Sequence, residues 1–161
     1  MLGHRTGAVM QADDVKERQA TIFVRPYPGT AFSVRRVRAD LVPLVDGCPF
    51  ADDVVLLASE LATNAILHSR SGHPDRTFTV RMTLYPGDYA WVEVVDQGGA
   101  WSEDVYDDEH GRGLGIVSAI AGDGNWGIDG DERCRTVWFR LDWPEDGASI
   151  DRRQPGRPAL P

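Results

Sequence analysis

At 161 residues, 42% apolar and 26% charged, the chain has the size and composition of one globular domain and is too short for two comfortable ones. Its formal net charge of −8 argues against direct nucleic-acid binding, which needs a basic face to neutralise phosphates, and is suited to steering a basic partner. The two cysteines, Cys48 and Cys134, stand far apart without C-x-x-C spacing, so metal or redox chemistry is not expected of them. Neither end carries an apolar run of signal-peptide or membrane-helix length, so a cytoplasmic protein without membrane contact is expected.

Residues 1–19 are polar and aperiodic and are expected to form a flexible leader. The tail, 145–161, with arginine and proline concentrated in Asp151–Pro161, is expected to be disordered, which leaves an ordered unit over 20–144. Thr21–Arg25 reads as a short strand ended by Pro26, Pro28 and Gly29. In Ala31–Val45, Phe32, Val34, Val37, Leu41 and Leu44 recur mostly three or four apart, which predicts a helix that Pro43 stops or kinks. Asp52 and Asp53 suit the positive start of a second helix, strongly patterned over Val54–Leu67. Thr77–Tyr85 and Tyr89–Asp96, joined by Pro86-Gly87-Asp88, predict a hairpin. After a glycine-rich acidic loop, Leu114–Ala121 reads as a helix and Arg135–Leu141 as a closing strand. The order predicts an α+β two-layer sandwich, with a mixed, mostly antiparallel sheet and helices on one face.

Three segments carry polar groups where a plain core element would not. In Ser59-Glu60-Leu61-Ala62-Thr63-Asn64-Ala65-Ile66-Leu67-His68, helical spacing puts Glu60, Asn64 and His68 on one face and Leu57, Leu61 and Ala65 on a neighbouring apolar one. That polar stripe is either a solvated outside or the lining of a site. Strand Trp91–Asp96 runs into Gln97-Gly98-Gly99, where Asp96 is either a turn cap or an acceptor for an exocyclic amine, and Gly98 lets a flat ligand approach the backbone. In Gly111-Arg112-Gly113-Leu114-Gly115-Ile116-Val117, glycines open a helix whose free N–H groups suit phosphate oxygens. The glycine spacing is not that of the dinucleotide fingerprint, and no P-loop is present.

Taken together, Glu60-x-x-x-Asn64, Asp96-x-Gly98 and Gly111-x-Gly113-Leu114 resemble, in order and spacing, the N, G1 and G2 boxes of the gyrase, Hsp90, histidine-kinase and MutL ATP-binding superfamily. The closer resemblance, through Glu60–Ser69, Gly111–Val117 and Thr136–Phe139, is to the anti-sigma-factor serine/threonine kinases and related actinobacterial regulatory ATP-binding proteins. It covers about Ala20–Pro144 and implies a Bergerat-type ATP-binding fold. It further implies that Asn64 gives a side-chain oxygen to Mg²⁺, that Glu60 is the general base for a protein hydroxyl, and that Asp96 binds the adenine amine, with Gly98 making room. Gly111, Gly113, Leu114 and Gly115 would form the phosphate turn, Thr136 would support the adenine pocket, and Arg112 could neutralise phosphate charge. The chain departs from the family pattern at Ala100 and Cys134, where glycine is expected, at Arg135, where lysine is common, and in a short acidic lid over Ala100–His110.

The function so implied is an anti-sigma-type regulator of transcription that binds ATP and Mg²⁺ and phosphorylates an anti-anti-sigma (STAS-type) protein. Its other partner would be a sigma factor, and homodimerisation is a further expectation of the resemblance. The alternative is a non-catalytic switch in which ATP orders the lid and sets partner affinity. Partner contact is expected through the first helix, where Arg35, Arg36 and Arg38 cluster, although such a cluster also suits a merely solvated face.

Overall fold

The computed structural model describes residues 19–99 and 112–144. The expected leader and tail, and the lid over Ala100–His110, lie outside the described residues apart from the leader's last residue. In chain order the elements are β1 (Thr21–Pro28), α1 (Ala31–Leu41), α2 (Ala51–His68), β2 (Thr77–Tyr85), β3 (Tyr89–Asp96), α3 (Arg112–Ala121), β4 (Trp126–Gly130) and β5 (Arg135–Asp142). Short 3-10 turns follow α1 at Val42–Leu44 and α2 at Arg70–Gly72. Pro43 falls in the first of these turns, so the expected stop comes at Leu41 rather than near Val45.

The strands lie in the order β1-β2-β3-β5-β4, and every pairing is antiparallel. Among the described strands the sheet is antiparallel throughout, where the sequence suggested a mixed, mostly antiparallel one. The difference traces to β4. A helical crossover from β3 directly into a closing strand beside it would run parallel, but β4 reverses the chain once more before β5. Strand β1 also runs on through Pro26 and Pro28, because an edge strand has one row of backbone groups facing away from its neighbour.

Cross-strand register decides which side chains meet the helices. Val80, Val94 and Val137 are aligned across β2, β3 and β5, as are Met82, Val92 and Phe139, and Leu84, Ala90 and Leu141. All nine join the core formed with Val37 and Leu41 of α1, Leu57, Leu61 and Ala65 of α2, and Leu114 and Val117 of α3. The helices thus cover one face of the sheet, as expected for the two-layer sandwich. Helix α2 is the central member, packed on α1, α3, β2, β3 and β5.

Helix α1 is fixed to the sheet edge by a polar contact. The Tyr27 hydroxyl donates to Asp40 Oδ2 at 2.6 Å and Arg25 Nη1 donates to the same oxygen at 2.9 Å. Tyr27 is only 1% exposed, and burial followed by the Asp40 carboxylate pushes its hydroxyl well above the ordinary tyrosine range. Asp40→Ala leaves that hydroxyl without its acceptor and is expected to cost about 1–3 kcal/mol in urea unfolding. A change below about 0.3 kcal/mol would show that the contact does not fasten α1.

Candidate functional site

Helix α2 separates its two faces as the spacing predicts. Leu57, Leu61 and Ala65 are buried in the core, whereas Glu60, Asn64 and His68 form a half-buried stripe beside it. At the start of α3, a Cβ added to Gly113 would lie 3.0 Å from Glu60 Oε2 and 3.8 Å from Glu60 Cβ. The missing side chain lets the first turn of α3 rest on the Glu60 carboxylate, so two motifs distant in sequence meet. The first N–H groups of a helix have no partner within it and attract negative charge, and they open here beside Glu60. One turn along α2, the Asn64 side chain makes no hydrogen bond among the described residues.

The remaining residues of the glycine motif divide in their roles. Leu114 points into the core at 7% exposure. A Cβ on Gly115 would meet nothing, so that position is open on the helix surface. Gly111 and the Arg112 side chain lie outside the described residues.

The second centre forms where β3 ends. Asp96 is 3% exposed, and its Oδ1 accepts the Gly98 N–H at 2.7 Å. Arg135, its cross-strand partner on β5, donates from Nε to Asp96 Oδ2 at 2.9 Å. Arg135 Nη2 lies 2.9 Å from the same oxygen and also donates to the His68 carbonyl at 3.0 Å. Burial raises the Asp96 carboxyl above the usual carboxylate range, and the Arg135 charge opposes that rise. One guanidinium therefore joins the last strand, the end of β3 and the C-terminal carbonyl of α2, where a cation also suits the helix dipole.

The loop after Asp96 is tied down on three sides. Gly98 has φ +62°, and a Cβ there would overlap the Glu132 carbonyl in the β4–β5 turn. That carbonyl accepts the Gly99 N–H at 3.0 Å and Arg70 Nη2. Arg70 N–H donates to the Gly98 carbonyl at 2.7 Å, and Arg70 Nε to that of Gln97 at 3.1 Å. Ser71, fully buried, accepts the Gln97 N–H at 3.0 Å and donates to the Thr77 carbonyl. Backbone that approaches this closely requires glycine, which is why Gly98 stands where it does.

Asp96 thus lies at the helix-side end of β3, with Gly98 packed against the β4–β5 turn. Thr136 does not share that space. It pairs with Val95, and strand alternation turns its side chain to the face opposite Val137, away from the helices. Arg135 occupies the helix-side position next to Asp96 instead. Sequence reading noted Arg135 only as a departure, because its partner becomes visible only once β3 and β5 are in register. Arg70, Ser71 and Glu132 carried no motif signal for the same reason: their contacts are to backbone atoms of distant loops.

The chain belongs to the histidine kinase-like ATPase domain family, whose model matches residues 31–141, more than half of its length. ATP binding in a regulatory role follows from that membership. A search of curated proteins finds no match. No helix among the described residues is long and apolar enough to cross a membrane.

Proposed function

We propose that this chain is an anti-sigma-type regulator with serine/threonine protein kinase activity towards an anti-anti-sigma (STAS-type) partner in the cytoplasm. The observation that supports it most is the contact of Glu60 with Gly113, with Asn64 one turn further along the same face. The Glu60 carboxylate lies beside the start of α3, and the Asn64 amide, one turn further, makes no hydrogen bond among the described residues, a donor set that suits a hydrated hard cation and phosphates. Among the described residues no group of three His, Cys, Asp or Glu is placed to hold a metal by itself. Asn64 would therefore hold Mg²⁺ together with phosphate oxygens and water.

Bound Mg-ATP supplies the transferable γ-phosphoryl group and the cation that offsets its charge. Asp96 would accept the adenine amine, and the N–H groups at the start of α3 would hold phosphate oxygens. Glu60 would orient the incoming serine or threonine hydroxyl and take its proton. Along α2, Glu60 and His68 are about 12 Å apart at 1.5 Å per residue, so adenine and phosphates can occupy opposite ends of one helix face.

Sigma factor and antagonist would meet the first helix, where Arg35 and Arg36 are exposed. Arg38 is partly engaged, because its Nε donates to Ser59 Oγ at 2.8 Å and ties α1 to α2. Incubating the protein with Mg-ATP and a STAS-type domain tests the proposal. Phosphoserine or phosphothreonine on that domain is the expected result. Nucleotide binding without transfer would instead favour a non-catalytic switch.

A further inference from the structure

Arg135 is the feature that the nucleotide reading above leaves without a role. It is 8% exposed, and it places two N–H groups on one oxygen of Asp96, while the other oxygen takes the Gly98 N–H. We propose that Arg135 is a positioning residue that sets base selectivity, holding Asp96 as an ionised, fixed acceptor so that the pocket takes purines with an amino group at position 6 and rejects those with a keto oxygen there. The proposal rests on Asp96 lying in the nucleotide site and adds what makes that site discriminate.

A carboxylate accepts hydrogen bonds only, whereas a protonated carboxyl also donates one. An amino purine needs the first form. A 6-keto purine presents an acceptor to Asp96 and is opposed by the carboxylate, yet it can be bound by the neutral acid. Which base is favoured therefore depends on whether Asp96 keeps its charge. Among the described residues, Arg135 from β5, the Gly98 N–H from the loop, and the Ser69 hydroxyl just after α2 all favour the ionised form of Asp96, against its burial. Only Arg135 among these brings a full charge. Without it, the carboxyl is left to desolvation and two neutral donors, and its proton is retained to higher pH.

The His68 carbonyl is the second anchor of the same guanidinium. It stops Arg135 from swinging with the ligand, so the carboxylate is held in one rotation. Lysine, with a single point charge, keeps the ionisation and gives up part of the orientation.

The test compares ATP with inosine triphosphate, which differs in carrying a keto oxygen at position 6, by calorimetry on the wild type, Arg135→Gln and Arg135→Lys. Titrations at about pH 6 and about pH 8 read whether the preference depends on pH, and thermal unfolding checks that each variant is folded. The wild type is expected to prefer ATP by about tenfold to a hundredfold at both pH values. In Arg135→Gln the preference should shrink to about threefold or less at the lower pH and recover at the higher. Arg135→Lys should keep the preference without pH dependence. An Arg135→Gln protein with the wild-type preference at both pH values would overturn the inference while leaving the nucleotide site intact. Absence of ATP binding by the wild type would instead remove the site itself. If Arg135→Gln does not fold, the lysine variant decides: preference retained at both pH values supports the proposal, and preference lost at both overturns it.

Discussion

Glu60→Ala is expected to slow phosphoryl transfer to a protein serine or threonine by about a hundredfold to ten-thousandfold, the usual contribution of a positioned general base. ATP affinity should change by less than about threefold, because the residue acts on the attacking hydroxyl and not on the nucleotide. The structural ground is the approach of Gly113 to the Glu60 carboxylate, which puts the base beside the first turn of α3. The fold should survive, since Glu60 is half-buried on the stripe outside the core. Transfer measured with labelled ATP, together with a binding titration, separates the two effects. Transfer that persists at the wild-type rate would contradict the role given to Glu60. A parallel loss of affinity and rate would mean that Glu60 holds the nucleotide and not the acceptor.

Gly98→Ala is expected to be the most damaging single methyl in the site. At φ +62° a side chain is strained whatever the space around it, and a Cβ would also run into the Glu132 carbonyl. That carbonyl is the common acceptor for Gly99 and Arg70, so pushing it aside loosens the whole loop after β3. Its N–H would also move off Asp96 Oδ1, removing one of the bonds that hold the buried carboxylate. A stability loss of about 2–4 kcal/mol is expected, seen as a fall in Tm of roughly 5–15 °C. ATP affinity measured on the fraction still folded should fall about tenfold or more. An unchanged Tm would show that the loop tolerates another path.

Much of this architecture was legible before any coordinates. Helix α2 announced itself through Leu57, Leu61 and Ala65, and the β2–β3 hairpin through its β-branched runs and Pro86-Gly87-Asp88, because local periodicity is what those elements depend on. Strand β4 was not legible. Gly124, Gly127 and Gly130, with Asp129, read as turn composition, and only Trp126 and Ile128 face inward to signal a strand. Its pairing rests on contacts outside the segment: a Cβ at Gly127 would lie 2.9 Å from the Trp138 ring, and Trp138 Nε1 donates to Asp129 Oδ2 at 3.1 Å. The extension of β1 was hidden by Pro26 and Pro28, which forbid a central strand but not an edge one.

The candidate site divides in the same way. Glu60, Asn64, Asp96, Gly98 and Gly113 could be singled out because each stands at a spacing or boundary that chemistry makes conspicuous. Thr136 came from resemblance alone, and one residue of strand parity places it on the opposite face from Asp96. Arg135 is the converse case. An arginine at a strand start has no signal of its own, and its importance lies in a cross-strand partner and a helix end that only the folded chain brings together.

In the proposed site Mg-ATP is held along one face of α2, with the metal at Asn64 and the adenine at Asp96. A calorimetric titration of the wild type and Asn64→Ala with ATP, in magnesium and in its absence, tests it most directly. Saturable, magnesium-dependent binding by the wild type is expected. Asn64→Ala should weaken binding about tenfold to a hundredfold in magnesium and leave little dependence on the metal. Magnesium-dependent binding of equal strength in both proteins would contradict it.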